Sequence, residues 1–223
     1  MKKLVIVGIG SFGELLKYYI DNYDEREVVA FAVNRAFLPS SCQYCGLPVF
    51  PLETLPACCP PTQFDIILGV GYKKMNTVRR ELFHYCKSMG YKIASFIHPS
   101  ACISKDAEIG EGNIILESFV MSPFCRLGEG NLLWADILLG HNVRVGDFNT
   151  ISGQVGLSGF SSVGNCCFLG MQSLVFDHVA LADYTLLGAG AAARKSSSEY
   201  EIIVPTQSVI LKNKRSVDSH IFD

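Results

Sequence analysis

The chain has 223 residues, a formal net charge of −2 and a pI near 6.2, so it has room for one large or two small cores and lacks the basic footprint of a nucleic-acid binder. No stretch approaches about 18 uninterrupted apolar residues, and none is expected to span a membrane. The apolar run after Lys2-Lys3 is too short for a secretory signal and has no small-residue cleavage site, which points to a cytoplasmic protein.

Residues 4–7 are a short apolar run, followed by Gly8-Ile9-Gly10-Ser11-Phe12-Gly13, an amphipathic segment over 14–20 and a second apolar run over 28–33. Strand, glycine turn, helix and strand in that order predict the opening βαβ unit of a Rossmann-like domain. Glycines in such a turn let N–H groups at the helix N-terminus approach a phosphate. A dinucleotide site needs a carboxylate after the second strand to take the ribose hydroxyls, and Asn34-Arg35 stands there instead. The NAD reading fails on that residue. A phosphate or nucleotide site at the turn, and a tight turn with nothing bound, both stay open.

Residues 34–61 are rich in Pro, Cys and Ser and read as loop, with a short strand near Pro48-Val49-Phe50. A buried strand over 64–71 ends in glycines, and a helix from about 75 to 89 puts Val78, Leu82, Phe83 and Cys86 on one face. Lys73, Lys74, Arg79 and Arg80 near its start read as a solvated face or as neighbours of a phosphate. Residues 92–97 are expected to close the α/β part. Ligands of such sheets bind at the strand ends, here the glycine turn, Asn34 and Gly71. His98-Pro99-Ser100-Ala101 joins this part to the next, with Pro99 biasing His98 to an extended linker conformation. Two domains are expected, over 1–98 and 99–223.

From Ile103 to Leu187 every sixth residue is aliphatic, in fifteen consecutive positions that include Met121, Leu139, Val145 and Leu169. The residue after each is often Gly, as at Gly110, Gly128, Gly140 and Gly164, and the one two before it is usually small or β-branched. This hexapeptide repeat is the signature of a parallel β-helix, in which three hexads make a triangular coil of about 18 residues. A single coil cannot bury its apolar face, so only the stack is stable. The chain leaves the repeat through Gly188-Ala189-Gly190 and a polar link over 194–199, and ends in a basic tail with Lys212, Lys214 and Arg215.

Nine cysteines in a chain without a secretory signal are expected to be reduced. Cys42, Cys45, Cys58 and Cys59 lack the second C-x-x-C knuckle of a structural zinc site. The repeat holds two histidines, His141 and His178, which cannot supply the three ligands of a carbonic-anhydrase-like zinc. His141 falls just past a repeat position, at a coil corner, and its ring is expected to point outward, toward a cleft or a neighbouring subunit.

The hexapeptide array, the strand–Gly8-x-Gly10-x-x-Gly13–helix opening, the His98-Pro99-Ser100-Ala101 junction, the Gly140-His141 corner and the Cys167-Phe168-Leu169-Gly170 run together resemble the NeuD/PglD-like sugar O-/N-acetyltransferases. The resemblance covers nearly the whole chain. It implies a left-handed parallel β-helix that forms a homotrimer, acetyl-CoA in the groove between two helices, an N-terminal domain holding a nucleotide-activated sugar, and no metal. His141 matches the family's general base, with Asn142 beside it. An imidazole titrating near neutrality suits removal of a proton from an attacking amine or hydroxyl. Thr150, Gly159, Met171 and Ala189 match cofactor-binding positions. Gly10, Ser11, Phe12, Val33, Asn34 and Gly71 match the nucleotide-sugar pocket. The chain departs from the pattern at Asn142, where an acidic residue is usual, at Phe12, where His is frequent, and near Asn34, where an aspartate is missing. The implied reaction is acetyl transfer to the amine of a nucleotide-linked amino sugar in polysaccharide or glycan synthesis. O-acetylation of a sialic-acid-type sugar and a non-catalytic trimeric nucleotide-sugar binder are the alternatives, and the identity of the acyl group stays open.

Overall fold

The computed structural model describes residues 3–208, so the basic tail with Lys212, Lys214 and Arg215 lies outside the described residues. β1 (Lys3–Val7), α1 (Ser11–Tyr23) and β2 (Val28–Val33) form the expected βαβ unit. β3 (Gln43–Tyr44) and β4 (Leu47–Pro51) follow as a small antiparallel hairpin, then α2 (Leu55–Cys58), β5 (Phe64–Leu68) and α3 (Thr77–Ser88). The sheet order is β3-β4-β2-β1-β5, with β4, β2, β1 and β5 parallel. β1 therefore sits where the strand order reverses, and the crevice beyond its C-terminal end is the place such sheets offer to a ligand.

The repeat becomes a left-handed parallel β-helix. All fifteen hexad positions are the second residue of a two-residue strand, and strands pair 18 residues apart, as Val120 does with Leu138 and Thr150 with Phe168. The first residue of each strand faces outward and the second inward. A further residue, two before the inward one, also enters the core, so Phe119, Cys125, Ile137, Val143, Val155 and Cys167 stack with Met121, Leu127, Leu139, Val145, Leu157 and Leu169. Each inward aliphatic contributes about 1.5–3 kcal/mol of burial. Corner residues such as Phe124, Asn142, Phe160 and His178 take positive φ. That conformation costs an L-residue about 1–2 kcal/mol, which the stacked core offsets. Inside one corner, Asn113, Asn131 and Asn149 form a buried ladder in which each Oδ1 accepts the backbone N–H of the residue one coil later. The ladder removes polar groups that burial would otherwise orphan.

Three faces result. The first carries Cys102, Val120, Leu138, Gly156, Leu174 and Ala192 outward, and the second Glu108, Arg126, Arg144, Ser162 and Ala180. The third runs from Phe96–Ile97 through Ile114, Leu132, Thr150, Phe168 and Leu186 to Ile202–Ile203, and the α/β part lies on it. Leu4, Ile6, Leu16, Ile20 and Phe31 share one core with Ile114, Leu116 and Leu132, while Phe83 and Cys86 share another with Phe148 and Cys166. Among the described residues no helix is long and apolar enough to cross a membrane.

Two sequence expectations are corrected. Residues 92–97 do not all belong to the α/β part: Ile93 makes an isolated bridge to Ile66, whereas Phe96–Ile97 pairs with Ile114–Ile115 as the first strand of the β-helix. Ile97 is six residues before Ile103, so the hexad register begins one step earlier than the aliphatic run suggested. Arg79 is neither solvated nor free for a phosphate. It is 0% exposed, and its guanidinium donates to the carbonyls of Leu68, Val70, Gly112 and Gly130. Burial lowers its pKa to about 10, which leaves it charged at neutral pH and satisfied by carbonyl oxygens from both parts of the chain.

Candidate active site

The glycine turn is built by close backbone approach. A Cβ on Gly13 would lie 2.4 Å from the Gly8 carbonyl oxygen, and one on Gly8, whose φ is +122°, would lie 2.6 Å from that of Gly69. These glycines pack α1 onto β1 and onto the turn after β5. Gly10, the N-cap of α1, and Gly71 have open space at their Cβ positions. Ser11 and Asn34 are exposed beside them, and Val33 is buried at the end of β2. Gly10, Ser11, Asn34 and Gly71 thus converge at the C-terminal ends of β1, β2 and β5. The Phe12 ring packs 5.8 Å from that of Trp134, tying the turn to the β-helix.

His141 is exposed at the corner between the first and second faces. Its Nδ1 lies 3.1 Å from Asn142 Oδ1. An amide oxygen only accepts, so this contact places the proton on Nδ1 and leaves Nε2 as the free basic nitrogen. Gly159, one coil later, lies under the ring, and a Cβ there would be 2.8 Å from His141 Cε1 and 2.9 Å from Nε2. The phenyl ring of Phe160 meets the imidazole edge to face at 5.1 Å, and His178 stacks on Phe160 at 5.0 Å. The sequence offered a signal for Phe160: 18 residues separate it from both Asn142 and His178, so the three share one corner column.

The four expected cofactor residues fall in three places. Gly159 is with His141. Met171 and Ala189 are exposed on the opposite edge of the first face, at its corner with the third, where the Gly190 N–H donates to the Met171 carbonyl. Thr150 is 0% exposed under the α/β part, with its hydroxyl on Asn76 Oδ1, so its side chain is not available to a ligand. Its outward direction on the third face, which the α/β part covers, is the reason. His98 is a buried junction residue, with Nδ1 2.8 Å from Ser100 Oγ and its ring 4.5 Å from that of Tyr23. Among the described residues no group of three His, Cys, Asp or Glu side chains could hold a metal ion.

No protein-family model matches the chain. Several solved structures are similar along nearly its whole length. One is a histidine-to-alanine variant of the GDP-perosamine N-acetyltransferase from Caulobacter crescentus in complex with CoA and GDP-perosamine. It shares 21% identity over 92% of this chain and 94% of its own, with a TM-score of 0.83. PerB from the same organism, with the same two ligands, is 20% identical over 92% of this chain and 95% of its own, with a TM-score of 0.74. The acetyltransferase domain of PglB from Neisseria gonorrhoeae, with acetyl coenzyme A, is 22% identical over 92% of this chain and 96% of its own, with a TM-score of 0.78. At this identity the likeness concerns architecture, and the chain carries the fold of these acetyltransferases, an α/β unit joined to a left-handed β-helix.

Proposed function

We propose that the protein transfers an acetyl group from acetyl-CoA to the amine of a nucleotide-linked amino sugar, with His141 as general base. The observation that carries this reading is the His141 corner itself. An exposed imidazole is held in the Nδ1–H tautomer by Asn142, with its basic Nε2 over the bare Cα of Gly159. The neighbouring structures that contain CoA and GDP-perosamine support the choice of donor and acceptor class. In the step, the sugar nitrogen attacks the thioester carbonyl carbon as Nε2 removes its proton. The new C–N bond forms, the C–S bond breaks, and the imidazolium returns the proton to the CoA thiolate. Backbone donors stabilise the tetrahedral oxyanion. The Gly159 N–H, beside the ring and without a carbonyl partner among the described residues, is available for this. Gly10, Ser11, Asn34 and Gly71 hold the nucleotide end, with the N-terminus of α1 favouring its phosphates.

The reading includes a homotrimer built on the first face. Val120, Leu138 and Leu174 stand exposed there in a row, whereas the second face carries charged pairs such as Arg126 with Glu108. When that face turns toward a three-fold axis, the edge with His141 and Gly159 meets the edge with Met171 and Ala189 of the next copy. This arrangement would bring Gly159 of one copy beside Met171 and Ala189 of the next, although they lie apart in one chain. Replacing Leu138, which is 51% exposed, by Glu dissociates the trimer in light scattering; an unchanged mass would remove the proposed interface. The function is tested by offering acetyl-CoA with UDP-, dTDP- and GDP-linked amino sugars and with sialic acid. N-acetylation of one nucleotide sugar supports the proposal. Acetyl ester on sialic acid, or binding of a nucleotide sugar without transfer, overturns it in favour of an O-acetyltransferase or a binding protein.

A further inference from the structure

The corner between the first and second faces carries two columns of residues one coil apart. One is Pro123, His141, Gly159 and Asp177; the other is Phe124, Asn142, Phe160 and His178. All four members of the second column have φ between 55° and 65°, so their side chains leave the corner along similar directions. In three of them this produces a continuous assembly. Asn142 bonds His141 Nδ1, Phe160 meets the His141 ring edge to face with an interplanar angle of 85°, and His178 lies flat on Phe160 with an angle of 3°. Phe160 is 51% exposed. A large aromatic residue in left-handed backbone, half in solvent, adds little to the core of the helix.

We propose that Phe160, backed by His178, is a positioning residue for His141. The inference rests on His141 acting as the base. A single hydrogen bond along the Nδ1–H direction fixes the tautomer but leaves the planar ring free to swing about that bond. Asn142 is neutral, and the pair is exposed, so water competes for the contact. A second constraint from another direction is needed to keep Nε2 over Gly159. The Phe160 ring supplies it, since edge-to-face aromatic contacts have a preferred geometry. The flat stack with His178 in turn limits rotation of the Phe160 ring. Gly159 completes the arrangement, because it places no side chain between His141 and the phenyl ring.

Steady-state kinetics on the full chain test this, with acetyl-CoA and the nucleotide sugar varied separately. Phe160→Ala lowers kcat by about ten- to a hundredfold, with both KM values within about threefold, because the base is misplaced while the substrates still bind. Phe160→Tyr keeps the ring and recovers most of the loss. His178→Ala lowers kcat by less than Phe160→Ala. In a His141→Ala background, Phe160→Ala adds no further loss, since there is no ring left to hold. A rise in KM with kcat unchanged would make Phe160 a wall of a substrate subsite and overturn the proposal. So would an unchanged kcat in Phe160→Ala when His141→Ala is inactive. Full activity of His141→Ala would instead remove the underlying reading. Circular dichroism and thermal unfolding of each variant separate these outcomes from loss of fold.

Discussion

Thr150 Oγ1 donates a 2.5 Å hydrogen bond to Asn76 Oδ1, and both residues are wholly shielded from solvent. Asn76 has a φ of 63° and also donates from Nδ2 to the Cys167 carbonyl. The turn before α3, which follows Gly71, is thereby fastened to two successive coils of the β-helix. Asn76→Ala removes both bonds and puts a residue without local side-chain hydrogen bonding into left-handed backbone. It is expected to cost about 2–4 kcal/mol in urea unfolding. Thr150→Val leaves one buried acceptor unpaired and is expected to cost about 1–3 kcal/mol. Equal stability of both variants and wild type would show that this fastening carries no load.

Arg79 makes the larger connection. Its guanidinium reaches carbonyls at the end of β5 and in two coil corners. Arg79→Met strands those acceptors in the interior and is expected to lose at least about 3 kcal/mol. Arg79→Lys is expected to rescue little, because a single ammonium cannot reproduce the planar fork. A lysine variant as stable as wild type would contradict this.

Much of the architecture was legible in the sequence, and the reason is periodicity. The aliphatic hexads fix strand, direction and spacing together, and each of the fifteen positions became an inward-facing strand residue. The glycine turn was equally clear, since Gly8, Gly13 and Gly69 are required by backbone contacts under 3 Å. What could not be read was which outward face the α/β part would cover. That choice buried Thr150, expected beside the cofactor, and Arg79, expected beside solvent or phosphate. Outward position in a β-helix says only that a side chain leaves the coil. The Asn113-Asn131-Asn149 ladder and the Asn142-Phe160-His178 column were visible only at the 18-residue period, where neighbours in space are three hexads apart in sequence.

Gly159 tests the geometry at His141. Gly159→Ala places a methyl group against Cε1 and Nε2, so the exposed imidazole must turn away. Activity is expected to fall about a hundredfold, with thermal stability nearly unchanged because the ring can move into solvent. Wild-type kcat in this variant would mean that Nε2 over Gly159 is not the working arrangement.

The buried thiols set a pH dependence. Burial pushes Cys86 and Cys167 up to about 12. A thiol whose folded pKa is raised stabilises the fold fully below its unfolded value near 8.5, and that contribution is lost as pH rises toward the folded value. The unfolding free energy is therefore expected to fall above about pH 9, by about 1.4 kcal/mol per pH unit for each such thiol. At pH 8 a disulfide reagent should modify exposed Cys42, Cys45, Cys58 and Cys102 in the native protein and leave Cys86 and Cys167 untouched until unfolding. Modification of either buried thiol at the rate of the exposed ones would contradict their burial.

The role of His141 is tested by acetyl transfer with His141→Ala, acetyl-CoA and the best acceptor from the nucleotide amino-sugar panel. The expected result is a loss in kcat of at least about a hundredfold, with the fold and the nucleotide-sugar affinity retained, as removal of a general base requires. Transfer by the alanine variant at the wild-type rate would show that His141 is not the base.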